Sequence, residues 1–586
     1  MSDFIYSRKK LPCGLLGANI KDIYNHNPPV VVEFHGVWGS LAVSHGFYSG
    51  FDPIETDDHI CVILGGPILK FSNNLFIRSD NKTAGTQLLL EKWLSPTSFK
   101  WDADVSGPFV ALKIDKHKNR VDLITDLMSF IPVFYAEKEY ILGTHVDAVA
   151  KVGGLDQQRD AVSIADFILN GIVTYPHTIY QGINQIAPGS EYTWSCDHDS
   201  MLHVKTYWEP REEIKYATPA DAAKKLGDGL KEYVESITAS LDKVALFLSG
   251  GEDSRTILGM IPDNCQRDAF IFLENMNREG RVAQNAAKAF GANFKCIPRT
   301  DSRYLDVLPA CAELVGSGAQ YTHVHSYKLH EVAQLDTYRA VFGGFLSDAF
   351  FKGSQIKKMP IERFGVYFQF KAPYTFIEKN KSKNNFQDKI MESLKARVDK
   401  RKEELSKIRN ISSLDEWFHI YPISMDTASP HFWGQRRLFA SYEPFTSHAA
   451  VKISASMPQH WKLNRVAFQK MSKTFLEPAK HLAHADGWLP YYSWKVNLFY
   501  RPMVKIKRRI ERIIGINRGN QGPWNNWVPL LESPAWKDFA SDCVANADFP
   551  NGIFKTRIGD LFGQDKAALE KNINLIQMLY QCRRVK

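Results

Sequence analysis

The residues best placed to do chemistry stand together at Ser249, Gly250, Gly251, Asp253 and Ser254. Small residues at the first three positions let backbone N–H groups crowd around an anion. An acid in such a loop would repel bare phosphate, so Asp253 reads as a ligand for Mg²⁺ carried by that phosphate. Arg255 offers a bidentate grip on a phosphate or a substrate carboxylate, or else an outward salt bridge. The run is not Walker A, which would end in Gly-Lys-Ser/Thr. The plain alternative is a strand-turn-helix corner in which Gly-Gly serves only the turn.

The flanking elements suit the phosphate reading. Val244-Ala-Leu-Phe-Leu248 has the length and type of a fully buried strand, and Thr256-Ile-Leu258 opens a helix. A strand, a glycine turn and a helix N-terminus aim orphan N–H groups and the helix dipole at one point. Leu248, Ser249, Gly250, Gly251, Asp253 and Ser254 are therefore the expected contacts for a phosphate-bearing ligand. Upstream, Thr218-Pro-Ala-Asp221 carries a helix cap with proline at the first helical position. Leu226, Leu230, Val234 and Ile237 then form one apolar stripe. Downstream, strands at 268–273, 293–297 and 338–342 alternate with helices at 279–291 and 305–315. That alternation predicts a doubly wound parallel sheet with its ligands at the carboxyl strand ends.

The whole chain has 586 residues, enough for roughly two to four domains. With 44% hydrophobic and 23% charged residues it has the composition of a soluble globular protein. No apolar run reaches the roughly 18 residues of a membrane span, and the polar start is no signal peptide. Eight scattered cysteines without a Cys-x-x-Cys pair point to neither a zinc cage nor a disulfide framework, and suit a reducing cytoplasm. The net charge of +9 permits acidic partners such as nucleotides without arguing for nucleic acid. Before residue 210, alternating runs at 30–34, 60–64, 109–114 and 121–125, punctuated by Gly, Asp and Asn, predict an antiparallel β-rich domain.

Several of these stretches resemble a known family. Ser-Gly-Gly-x-Asp-Ser resembles the pyrophosphate-binding loop of the ATP pyrophosphatases. Gly107-Pro-Phe-Val-Ala-Leu-Lys-Ile-Asp115, Asp126, Ile131-Pro-Val-Phe-Tyr135 and Ile141-Leu-Gly-Thr-His145 resemble the later part of the glutamine amidotransferase domain that fronts asparagine synthetases. The likeness runs on through 164–169, 178–183 and 186–189. Glu279, Ala283, Ala287 and Gly291 are similar in rhythm to the family's second helix. Gly343-Gly-Phe-Leu-Ser-Asp-Ala-Phe-Phe-Lys-Gly353 resembles a diverged form of its second signature.

The resemblance implies a two-domain α/β protein. Residues 1–210 would be an N-terminal-nucleophile-like β sandwich of αββα type. Residues 211–586 would be the synthetase, with its signature core at 240–355 and a helical remainder. It implies ATP and Mg²⁺, with Asp253 and Asp348 holding the metal and Gly344 beside the nucleotide; an ordinary helix N-cap is the other use for Asp348. The implied reaction is adenylation of a carboxylate, releasing pyrophosphate, followed by attack of ammonia or an amine. The acid would be a small molecule, a glycan or a peptide, and a homodimer stays open.

The departures fall on the acceptor side. A working glutaminase needs a cysteine at its processed N-terminus, and Ser2 stands there. The first domain is thus expected to be a relic, as in β-lactam synthetases and lasso-peptide cyclases. Phe345 and Ala349 replace family acids. No lysine occupies the place of the transition-state lysine near 484–486, for which Lys480 and Lys495 are the nearby substitutes. Lys462, Arg465 and Lys470 sit where the family has basic residues. Rival readings are a pseudoenzyme of the same fold and a related enzyme acting on tRNA.

Two further stretches have no family counterpart. Tyr321-Thr-His-Val-His325 is expected to be extended, its histidines neutral packing groups or else ligands. The basic amphipathic run at 505–514 suits a membrane face or RNA, or a surface helix with its apolar stripe in the core.

Overall fold

The computed structural model describes residues 2–24, 27–96, 99–195, 201–358, 385–516, 520–523, 527–562 and 569–583. In the first half the alternating runs become strands of two antiparallel six-stranded sheets. One runs Ile183–Gln185, Phe134–Ala136, Ile141–Gly143, Phe4–Ser7, Gly39–Ser44, Val31–Gly36. The other runs Met201–Thr206, Ser190–Ser195, Arg120–Thr125, Phe109–Asp115, His59–Gly65, Ile54–Glu55. Helix Leu15–Lys21 packs on the first sheet and Ala84–Leu94 on the second, while Tyr135 and Trp194 meet between the sheets at 6.0 Å. Every residue from Ile60 to Leu64 is buried, so the central strands have both faces covered. This is the N-terminal-nucleophile-like sandwich.

The second half is built on five parallel strands. They are β1 (Lys243–Phe247), β2 (Gln266–Leu273), β3 (Asn293–Pro298), β4 (Val341–Phe342) and β5 (Ser441–Tyr442), in the order β3-β2-β1-β4-β5. Helix α1 (Pro219–Thr238) precedes β1 and opens with a full capping box. Asp221 N–H donates to Thr218 Oγ1 at 3.2 Å, and Thr218 N–H donates to Asp221 Oδ2 at 3.0 Å. Its stripe of Leu226, Leu230, Val234 and Ile237 is wholly buried. Helices α2 (Asp253–Leu258) and α3 (Arg278–Ala289) follow β1 and β2, and α4 (Ser347–Phe351) follows β4. Strand order reverses between β1 and β4, which opens a crevice outside their carboxyl ends.

Two local expectations change, and one strand is new. The helix expected over 305–315 is two pieces, Arg303–Asp306 and Leu308–Val315, parted just ahead of Pro309, which has no N–H to continue the ladder. Tyr321–His323 is a 3₁₀ turn rather than an extended segment. Strand β5, only two residues long, is too short to leave a periodic trace in sequence.

The two halves are joined by a buried ionic cluster. Arg437 donates to Asp3 Oδ1 at 2.7 Å and Oδ2 at 2.8 Å, and Arg436 donates to Oδ1 at 3.0 Å. Tyr24 Oη and Thr144 Oγ1 complete the shell at 2.6 and 2.8 Å. Burial raises the Asp3 pKa, but Arg437 and Arg436 outweigh it and hold the carboxyl well below its usual range.

Candidate active site

The loop after β1 closes on itself before it meets any ligand. Ser249 N–H donates to Ser254 Oγ and Gly251 N–H to Ser249 Oγ, each at 3.1 Å. Gly250 N–H donates to Glu279 Oε1 at 2.7 Å, so a carboxylate from α3 already sits where an anion would. Gly250 must be glycine, since a Cβ there would lie 2.9 Å from both Glu279 and Ala485. Leu248 is buried beneath the loop, and its N–H donates to Phe270 O of β2.

Across the crevice, Leu346 takes a left-handed conformation (φ 70°) to turn the chain from β4 into α4. Gly344 passes so close to α2 that a Cβ would come within 3.0 Å of Asp253 Cβ. This brings Asp253 and Asp348 together on a shared cation, the ammonium of Lys352. Lys352 Nζ lies 2.6 and 2.7 Å from the two Asp253 oxygens, 2.6 Å from Asp348 Oδ1 and 3.5 Å from Glu252 Oε1. Lys352 is buried against the Phe468 ring, whereas the Asp348 carboxylate is mostly open to solvent. Burial raises the Asp253 carboxyl to about 6, against the pull of Lys352; for Asp348 the cations prevail over burial and lower it.

A second cation stands beside the first. Asn464 and Arg465 are both left-handed (φ 55° and 62°), and this turn sets Arg465 Nη1 2.7 Å from Glu252 Oε1 and over the Trp488 ring. Strain of this kind persists where surrounding structure holds it, commonly at functional sites. His484 Nε2 borders Gly251; burial, then Arg465, depress its pKa to about 3, so the imidazole is neutral.

Two expected site residues lie elsewhere. Arg255 is fully buried and turned from the crevice, donating to Gly250 O at 2.8 Å, Leu482 O at 3.0 Å and Ala483 O at 3.1 Å. It neither faces phosphate nor forms an outward salt bridge. It staples 482–483 to the loop by joining Leu482 O and Ala483 O to Gly250 O, which also accepts the Ala485 N–H at 3.1 Å. Lys495 is exposed on the first turn of helix α5 (Trp494–Ile513), and among the described residues nothing ties it to the loop. Lys462 is buried on Glu416 at 2.5 Å, Lys470 is exposed, and Lys480 pairs with Glu477.

Sequence reasoning missed Lys352 and the Glu252–Arg465 pair. Lys352 follows Asp348 by four residues, helical spacing that brings opposite charges together and was the available signal. The histidines His323 and His325 are half-buried, and the desolvation of their rings lowers both pKa values, His323 to about 4. His431 lies tilted against His325 at 6.2 Å and against Phe345 at 5.1 Å, and reaches Glu443 at 3.4 Å.

The donor set suits Mg²⁺: two carboxylates from two strand ends converge on one cation position, marked by an ammonium. A phosphate loop at the switch point of a parallel sheet, facing such a carboxylate pair behind a nucleophile-type sandwich, defines an ATP-dependent carbon–nitrogen ligase. Family models match in the same order, a glutamine amidotransferase domain over residues 82–208 and asparagine synthase over 225–479. The chain belongs to the asparagine synthetase-like family.

Curated protein sequences give no match. Among solved structures, the allosteric regulatory enzyme of purine biosynthesis aligns at 10% identity over 58% of this chain and 79% of its own, with TM-score 0.23. NMN synthetase from Francisella tularensis aligns at 15% identity over 23% and 58%, with TM-score 0.17. NH3-dependent NAD synthetase from Campylobacter jejuni subsp. jejuni NCTC 11168 aligns at 17% identity over 35% and 92%, with TM-score 0.18.

Proposed function

We propose that this protein adenylates a carboxylate and passes the acyl group to ammonia or an amine. The observation that carries the reading is the convergence of Asp253 and Asp348 on one cation position beside the 249–254 loop. In the first step a carboxylate oxygen bonds to the α-phosphorus of ATP as the bridge to the β-phosphate breaks, and pyrophosphate leaves. In the second the amine nitrogen bonds to the acyl carbon, AMP departs with the electron pair of the broken bond, and the nitrogen gives up a proton. Mg²⁺ held by Asp253 and Asp348 would neutralise charge gathering on pyrophosphate. Arg465, pre-set by its strained turn, would add a fixed positive charge at the same mouth, where preorganised electrostatics acts most strongly.

The nitrogen would come from free ammonia or an amine substrate rather than glutamine. Ser2 is 1% exposed, its hydroxyl donates to Arg436 O at 3.3 Å, and Arg436 in turn donates to Ser2 O. This packing supports a first domain that does not turn over glutamine. The acceptor acid is a small molecule, a glycan or a peptide. Scattered thiols suit a reducing cytoplasm.

ATP–pyrophosphate exchange with a panel of carboxylates tests the reading. Exchange should appear with at least one acid and fall about 100-fold in Asp253→Asn and Asp348→Asn. A second reading, a non-catalytic scaffold, is favoured by Lys352 filling the shared cation position. No exchange with any acid, together with no Mg²⁺–ATP binding, decides for the scaffold.

A further inference from the structure

Helix α5 has two opposite faces that do different work. At about 100° per residue, Trp494, Asn497, Arg501, Val504 and Arg508 share one side, which rests on the body of the protein. Asn497 exchanges hydrogen bonds with Leu489 N–H and O at 2.8 and 3.1 Å. Arg501 lies over the Trp488 ring at 4.7 Å, Val504 abuts Gly487, and Arg508 donates to Ala485 O. The far side carries Phe499, Met503, Ile506, Ile510 and Ile513, spaced four and three residues apart in turn. It is bare: Phe499 is 79% exposed, Met503 68%, Ile506 61% and Ile513 76%. Ile514 and Ile516 extend the exposed patch beyond the helix. The bland expectation, an apolar stripe buried in the core, does not hold for this helix. Its buried side is narrow and polar, and among its described residues only Asn497 is fully buried.

A stripe of this size on a protein surface marks an interaction site, and charge selects the partner. Seven cations, Lys495, Arg501, Lys505, Lys507, Arg508, Arg509 and Arg512, share the helix with one acid, Glu511. A second copy laid along the stripe would set like charge against like charge. Nucleic acid would answer the cations and leave the bare Phe, Met and Ile in water. An anionic bilayer surface satisfies both, because acyl chains take the apolar side while lipid headgroups meet the flanking Lys and Arg. Among the described residues no helix is long and apolar enough to cross a membrane.

We propose that α5 is an interfacial anchor which seats this protein on anionic lipid. The anchor lies one layer from the crevice. The 484–489 segment under it contains Ala485, whose N–H donates to Gly250 O of the loop, and His484, which borders Gly251. The ligase mouth would thus be held near the membrane surface.

Co-sedimentation of the full chain with vesicles tests this. One set is phosphatidylcholine alone, the other one part phosphatidylglycerol to three parts phosphatidylcholine. The expected result is roughly tenfold or greater enrichment on the anionic set, weakened by salt. Ile506→Glu with Ile510→Glu should abolish it while the thermal transition and Mg²⁺–ATP binding stay as in wild type. Lys505→Gln, Lys507→Gln, Arg509→Gln and Arg512→Gln together should remove the preference for the anionic set. No binding to either set, or binding unchanged in the Ile506/Ile510 variant, overturns the proposal. So does a lipid-free dimer that this variant splits, or RNA binding that competes with no vesicle.

Discussion

Lys352 and Asp253 form a two-pronged ion pair, with Nζ 2.6 Å from one carboxylate oxygen and 2.7 Å from the other. The pair lies where β1 and β4 part company, and Asp348, one turn before Lys352 on α4, completes it. The chain thus carries its own cation at the point where the proposed reading places Mg²⁺. Two predictions concern this arrangement and its surroundings, and a third the junction of the two halves.

Lys352→Met should free both carboxylates. Removing one buried cation between two acids leaves a pair of oxygens that attract a divalent ion strongly. Paramagnetic titration with Mn²⁺ in the absence of nucleotide should show a tight site in the variant, bound at least about tenfold more strongly than in wild type. Equal Mn²⁺ binding in both proteins would mean that Lys352 does not compete for the site.

Arg255 and Arg465 should separate cleanly into a staple and a working charge. Arg255→Ala takes the guanidinium donors from Leu482 O and Ala483 O, leaves Gly250 O with the Ala485 N–H alone, and should cost about 2–4 kcal/mol in urea unfolding. Arg465→Ala should leave unfolding nearly unchanged and reduce pyrophosphate exchange about 100-fold. The reverse pattern, a stable Arg255→Ala that no longer binds Mg²⁺–ATP, would return Arg255 to the site.

Asp3 should make the junction of the two halves acid-sensitive. Its folded pKa is depressed, so its contribution is fully present above the unfolded value near 3.8 and is lost as pH falls through the lower folded value. Asp3→Asn leaves Arg436 and Arg437 buried without a counter-ion, a loss of about 3–5 kcal/mol near neutral pH. Calorimetry should show the gap between wild type and variant narrowing below about pH 4. A gap independent of pH would place the effect in packing rather than charge.

Much of the site was legible in the chain because its signals are local. Ser249, Gly250, Gly251, Asp253 and Ser254 lie within six consecutive residues, and their strand and helix follow at once. Gly344 and Asp348 could be found through the likeness of 343–353 to a signature. The capped helix at Pro219–Thr238 was written in four residues and one apolar stripe. Arg255 was not legible. A guanidinium after such a loop suggests an anion grip, and only the path of 482–483 behind it shows that backbone carbonyls claim both of its terminal nitrogens. Lys495 misled in the other direction, since closeness in sequence to a family motif did not bring it to the loop.

The sequence by itself determined the glycine loop at 249–254, the parallel sheet that carries it and the placing of Asp253 at the start of the following helix. These depend on short-range periodicity, glycine conformation and strand-to-helix order, all of which a few consecutive residues specify. The tertiary structure alone decided which cation stands between Asp253 and Asp348, that Ser2 is packed against Arg436, and that the apolar side of Trp494–Ile513 faces outward. Each of those depends on which surface another part of the chain covers. Coverage is set by contacts between residues as far apart as Ser2 and Arg436, and no local pattern encodes it.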